Sequence, residues 1–392
     1  MNQPKSIAVW CKKSQPDDEV CRLKGEMQLH INYWHISQDE NKFELEKAFK
    51  GSGEIPDIMD IGLMVPLIRG LECISIYLPF KLEPRDIKDL SPTLIKNEIS
   101  SAIFNEDLSH QVIGKQGESL FTLNTPSGEF CIVRNFISSK DGENISDAKS
   151  FKTVNIEDGE GTQLMLMENA FKLHNLSKST DHKFAYFRLR VPLNSKNKSA
   201  FFRDIDPEDK ALQSSYEKTE FIDFRINELR LLPQSVRECM QNEQGEVELP
   251  LCRVDFLLAV NIVADITGAM KEFHKSRLLE PNLWSGYFEN EYSYMSNPIQ
   301  KGMLVYHWKK VREEKKVFKD FSAFVKLKVR FSSYTVIRRH LWFIIFFGTV
   351  GSVIGSLLYS GLGVIWDAAT EKTEVHEKHE PNTNKSIPSP PT

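Results

Sequence analysis

LWFIIFFGTVGSVIGSLLYSGLGVIW (341–366) runs for 26 residues without one charged side chain. Coiled as a helix it spans about 39 Å, more than the roughly 30 Å hydrocarbon core of a bilayer. A helix in a soluble core averages about 11–12 residues and seldom runs so far without a polar interruption. The stretch therefore predicts one C-terminal transmembrane helix. Trp342 and Trp366 bracket it as interfacial anchors, with Tyr359 deeper, because amphipathic rings favour the headgroup level. Its glycines also suit a re-entrant hairpin, but 26 residues are too few for two full spans.

The flanks orient the span. Between Lys301 and His340 twelve Lys and Arg stand against three acids, whereas the tail after Trp366 holds five acids and three lysines. The whole chain carries only −4, so residues 1–300 are strongly acidic. Basic residues stay on the cytoplasmic side, which predicts a cytoplasmic N-terminal region and a C-terminal tail outside. MNQPKSIAVWCKK at the N-terminus lacks the apolar core of a signal peptide. The six cysteines make no Cys-x-x-Cys pair and read as reduced, mostly buried thiols.

Small residues recur along the apolar stretch. Gly348, Ser352, Ser356 and Ser360 fall at spacing four, and Gly351, Gly355 and Gly363 form a second row beside them. Small side chains let helix backbones approach closely, and in lipid that packing drives association, so a homo-oligomer is expected. In FVKLKVRF (324–331), Lys326, Lys328 and Arg330 alternate with Val325, Leu327 and Val329 at the period of a strand. With Arg338 and Arg339 they form a basic juxtamembrane set, each cation worth about 1 kcal/mol near an anionic leaflet. Nucleic-acid binding is the competing use; nearness to the apolar stretch favours lipid headgroups. VREEKKVFKD (311–320) reads as a solvated, charged helix.

The first 300 residues read as mixed α and β with strands prominent. Strands are predicted at 26–36, 73–80, 119–124, 129–136, 183–193 and 220–232, and 26–36 alternates as a half-buried strand should. A helix is predicted over 90–105, with Ser91 capping and Pro92 in the first turn. Asp255, Asn261 and Asp265 interrupt the apolar run 251–279, which reads as a core helix or a strand–helix pair. Polar stretches at 138–150 and 194–218 read as a boundary and as a long loop or lid. SIYLPFKLEP and FAYFRLRVPL share a strand-rich, Pro-ended look, which hints at a sandwich-like unit. The expected class is therefore α+β: a strand-rich domain over 1–140, a second α+β domain over 141–300, the basic segment 301–340, the helix 341–366 and a disordered tail 367–392.

Chemistry is hard to find. Phosphate-binding glycine loops, G-x-S-x-G and H-E-x-x-H are absent from the sequence. His30 and His35 lie at odd spacing on a predicted strand and point to opposite faces, so a shared metal is not expected. Asp57 and Asp60 resemble half of a metal-dependent nuclease constellation. An acid-x-Lys partner is missing nearby, since Glu208-x-Lys210 is about 150 residues away, and solvated turn carboxylates are the plainer reading. His174 and His182 lack a nucleophile partner, and Asp223 with Arg225 reads as a structural ion pair. No catalytic residue, metal or cofactor is expected.

In layout, residues 301–392 resemble the membrane-anchored effectors of bacterial anti-phage systems, such as retron and cyclic-oligonucleotide systems. The resemblance implies antiviral defence by membrane disturbance, residence in a cell inner membrane, and a protein or nucleoprotein partner encoded nearby. It rests on architecture, and it departs in offering one span where many such effectors carry two or more, so oligomerisation becomes a requirement. A membrane-tethered adaptor and a tethered hydrolase or nuclease are the alternatives.

Overall fold

Apolar residues at period two put most of the chain into strands, and eighteen strands make three sheets among the described residues. The computed structural model describes residues 5–13, 26–37, 55–67, 71–113, 120–136, 149–156, 161–171, 184–205, 217–244, 250–269, 273–288, 290–313, 318, 320–330 and 333–377. One small sheet has the order β1 (Ala8–Lys13), β4 (Leu71–Leu78), β10 (Gly161–Met167), β9 (Phe151–Ile156). The large sheet runs β16 (Lys275–Leu278), β17 (Met303–Val311), β14 (Leu251–Asn261), β2 (Met27–Trp34), β3 (Asp57–Pro66) and β11 (Phe184–Leu193). It continues through β8 (Gly128–Arg134), β7 (Leu120–Thr125) and β6 (Ser109–Val112), with β5 (Lys88–Asp89) also on β11. A second four-stranded sheet is β12 (Phe202–Ile205), β13 (Glu217–Ile226), β18 (Phe321–Arg330), β15 (Ala264–Ala269). Pairings are antiparallel except β14 with β2 and β11 with β8. The helices are α1 (Asn97–Phe104), α2 (Glu168–Phe171), α3 (Ser195–Lys198), α4 (Gln234–Gln244), α5 (Pro281–Ser285), α6 (Ser296–Lys301) and α7 (Ser333–Glu377).

Two compact units result, Met1–Phe331 and Ser332–Thr392. In the first, one apolar cluster joins all three sheets: Val9, Ile76 and Leu164, then Leu29, Ile61 and Phe256, then Ile222, Val325 and Leu327. Phe224 of β13 stacks on Phe256 of β14 with ring centroids 4.4 Å apart. Each such side chain contributes about 1.5–3 kcal/mol through removal from water. The opposite face of the large sheet is covered by 281–301, where Trp284, Tyr287 and Phe288 pack round Trp34.

The strands predicted from alternation form as β2, β4, β7, β8, β11, β13 and β18. Several details differ. β2 is buried on both faces, because the 281–301 segment covers the side that alternation left to solvent. The run 251–279 is β14, β15 and β16 with no helix among its described residues. Val254, Phe256, Leu258 and Val260 alternate inward there, and Asp255 is tolerated by ionic partners. Residues 311–313, 318 and 320 carry no helix, and the rest of that charged stretch lies outside the described residues. The first turn predicted at 90 is a 3-10 turn, Ser91–Ile95, whose Ser91 amide donates to Asp89, and α1 follows. Residues 194–205 contain α3 and β12 where a loop was expected, while 206–216 lie outside the described residues. The supposed boundary at 138–150 falls mostly outside them too. Strands from 1–140, 141–300 and 301–330 pair with one another: β4 with β10, β3 with β11, β14 with β17, and β13 with β18.

Gly62 shows how tightly the large sheet is built. A Cβ there would lie 2.1 Å from Tyr186 Oη and 2.9 Å from its Cζ, on a ring that is buried and hydrogen-bonded. Gly62→Ala is therefore expected to cost about 1–3 kcal/mol, read as a lower urea midpoint by tryptophan fluorescence.

The second unit is described as α7. It is continuous through its glycines, so the segment is a straight-through helix and not a hairpin. Phe343–Trp366 is long and apolar enough to cross a membrane.

Candidate functional site

β2, β3 and β11 position two ion networks on their two faces, because residues at odd spacing point oppositely from a strand. Asp57 and Asp60 are three apart on β3 and both are fully buried, which corrects their reading as solvated turn carboxylates. An acid inside the apolar run 55–66 must find donors, since an unpaired buried carboxylate is prohibitively costly.

On the face shared with β13, Asp57 Oδ2 accepts from Tyr33 Oη at 2.8 Å and meets His35 Nδ1 at 2.8 Å. Its Oδ1 accepts from the Ile36 amide at 3.1 Å and from Lys198 Nζ at 3.2 Å. His35 Nε2 meets Glu220 Oε2 at 2.8 Å, and Lys218 Nζ lies 3.3 Å from Glu220 Oε1. Burial alone would raise both carboxyls, yet Lys198 and His35 beside Asp57, and His35 beside Glu220, hold them below their ordinary range. Burial alone would lower His35, and Asp57 with Glu220 instead raises it.

On the other face Arg190 grips Asp60 with both prongs, Nε to Oδ1 at 2.7 Å and Nη2 to Oδ2 at 3.1 Å. Trp34 Nε1 and Tyr287 Oη each donate to Oδ2 at 2.9 Å. The Arg190 guanidinium lies over Phe288 and Tyr287 at 4.3 and 4.6 Å. Arg188 donates to Tyr287 Oη at 2.7 Å and Tyr186 Oη at 3.1 Å, and its Nη2 lies 3.7 Å from Asp60. Burial would raise the Asp60 carboxyl, but Arg190 and then Arg188 hold it low. From Tyr186 the polar row continues to His30 at 3.5 Å, then Asp255 at 3.7 Å, then His307 at 2.7 Å. Burial lowers His30 to about 4, so that ring is neutral near pH 7. Arg253 also contacts Asp255.

Both networks consume their own chemistry. Each ring nitrogen of His35 faces a carboxylate, which leaves no lone pair for a nucleophile, and every oxygen of Asp57 and Asp60 is engaged. Among the described residues no group of three or more His, Cys, Asp or Glu is arranged to hold a metal ion. His30 and His35 have separate partners, Asp223 and Arg225 pair at 2.8 and 2.9 Å, and Cys11, Cys73, Cys131 and Cys252 are buried while Cys239 is exposed. His174, His182, Glu208 and Lys210 lie outside the described residues.

The residues singled out in the apolar segment all fall on α7. Extra Cβ atoms at Gly348, Gly351, Gly355 and Gly363 would meet nothing within 4 Å, and Ser352, Ser356 and Ser360 are exposed, with Ser360 Oγ donating to the Ser356 carbonyl. Trp366 is exposed; the side chains of Trp342, Arg338 and Arg339 lie outside the description. Lys326, Lys328 and Arg330 share the outer face of β18 as the alternation predicts, but acids on neighbouring strands meet two of them. Lys328 Nζ lies 2.5 Å from Glu217, and Arg330 lies 3.4 Å from Asp265. Lys326 stands 5.9 Å over the Phe221 ring. The face is thus less cationic than its own strand implies.

Sequence reasoning missed the partners Arg188, Arg190, Lys198, Glu220 and Tyr287. Arg188 and Arg190 were visible as charges alternating inside an apolar strand; Lys198 and Glu220 join Asp57 and His35 only through the fold. Compared with models of known protein families and with curated proteins, the chain matches none.

Proposed function

We propose that this is a single-pass membrane protein in which α7 crosses the bilayer and self-associates under control of the strand-rich unit. One observation carries the reading: every described side chain from 343 to 366 is exposed, including Phe347, Leu357, Val364 and Ile365. A helix serving its own core buries such residues, and so large an apolar surface needs lipid or a partner helix. The open glycine and serine rows leave room for a second backbone. In this reading the N-terminal unit is sandwich-like and cytoplasmic, on the side of the Lys301–His340 cations, and the tail is outside. The unit answers a protein or nucleoprotein partner, and clustering of α7 perturbs a bacterial inner membrane in antiviral defence.

A genetic reporter of helix association carrying 341–366 tests the packing step. Gly351→Leu with Gly355→Leu should lower its signal several-fold while insertion persists; an unchanged signal contradicts packing through these rows. For orientation, an enzyme reporter fused after Thr392 should work only outside the cytoplasm.

An adaptor is the second reading, favoured by the edges of the large sheet. β6 and β16 lie at its two ends with all residues exposed, Val112 and Leu278 among them. Such edges can accept a strand from a partner.

A further inference from the structure

We propose that His35 is a proton-operated latch between the large sheet and the β12–β13–β18–β15 sheet. Its ring stands between Asp57 of β3 and Glu220 of β13, with one nitrogen 2.8 Å from each carboxylate. A neutral imidazole offers one N–H and one lone pair, and a lone pair facing a carboxylate at that distance repels it. Both contacts are attractive only when the ring carries two protons and donates to both sides. The proton belongs on the ring and not on a carboxylate. Asp57 already takes donors from Tyr33, Ile36 and Lys198, and Glu220 has Lys218.

The groups facing the ring among the described residues complete the balance. Tyr33 of β2 and Asp57 of β3 lie on one side, and Glu220 and Lys218 of β13 on the other. Lys198 of α3 approaches Asp57, Ser37 Oγ lies 3.5 Å from Glu220, and the Phe202 ring of β12 is 5.0 Å from the imidazole. Lys218 is shared with Asp204 of β12 at 2.7 Å and that pair lies nearer solvent, so the two buried carboxylates are matched by His35 and Lys198. Loss of the imidazolium proton leaves one buried negative charge in excess and turns one tie into a repulsion. Toward the large sheet Glu220, on β13, then keeps only the 3.5 Å contact from Ser37 beside β2 among the described residues, and β13 pairs along its whole length with β18, the strand that leads into α7 after two residues.

The sign follows from the direction of each shift. His35 is raised, so its stabilisation is complete below its ordinary value of about 6.5 and is lost as pH rises through the folded value. Asp57 and Glu220 are lowered, so their contribution is present above the ordinary carboxyl values near 4 and is lost in stronger acid. The latch is closed between those limits. It stands whether or not α7 crosses a membrane.

Full chain labelled with 15N-histidine, in detergent, gives the test over pH 5.5–10. One imidazolium signal should persist above the ordinary value of about 6.5 and be missing from His35→Gln. The wild-type melting temperature should fall through that same titration, and the variant should lack that fall. Histidines that all titrate at or below about 6.5, or a persisting signal retained in His35→Gln, overturn the latch. Glu220→Gln gives an independent reading should His35→Gln not fold. With one carboxylate gone, the His35 titration should move down by about one pH unit or more, and an unmoved titration overturns the proposal.

Discussion

Asp60→Ala should lower the stability of the strand-rich unit by about 3–5 kcal/mol, measured as a loss of urea midpoint at constant slope. The magnitude comes from what the substitution leaves behind. Arg188 and Arg190 are both fully buried, and Asp60 is the one carboxylate within reach of either among the described residues. Its removal strands two guanidinium charges and also leaves Trp34 Nε1 without its acceptor. Against a total of about 5–15 kcal/mol for a folded domain, that loss is about a fifth of the whole or more. Asp60→Ala combined with Arg190→Met should recover part of it, because an apolar side chain of similar length needs no counter-charge. A double variant as unstable as the single one would show that the cost lies elsewhere.

Phe256→Ala should cost about 3–5 kcal/mol by the same measurement. The ring is fully buried, stacks on Phe224 at 4.4 Å and approaches Trp308 and Phe321 at 5.8 and 6.2 Å. It lies where the large sheet meets β13 and β18, so the cavity opens between sheets that cannot collapse onto it without shifting register. Val112→Ala, on an edge strand and 68% exposed, serves as the comparison and should stay within about 0.5 kcal/mol. Equal losses at the two positions would contradict the placement of the core.

How much of this was legible depended on whether a residue's partners were near in sequence. The apolar span at 341–366 and the alternating strands declare themselves locally, because their periods are properties of the backbone. The run 251–279 misled because Asp255 and Asn261 break an apolar stretch as helix polar residues do; only the fold supplies His30 and His307 to Asp255. β3 went unread for a related reason. Two aspartates beside a proline look like a turn, although the residues between and after them are continuously apolar, as in a strand buried on both faces. The ion networks join positions up to 227 residues apart, as Asp60 and Tyr287 are, and no local pattern carries that information. The alternation of β18 is visible in its own strand, but the net charge of its outer face is not, since Glu217 and Asp265 come from β13 and β15.

The most direct measurement of the central claim is alkaline carbonate extraction of membranes from cells that make the full chain. A helix crossing the bilayer holds the protein in the membrane pellet until detergent is added, and removal of 341–366 should release it. Full-length protein found in the carbonate supernatant, monomeric without detergent, would contradict the account.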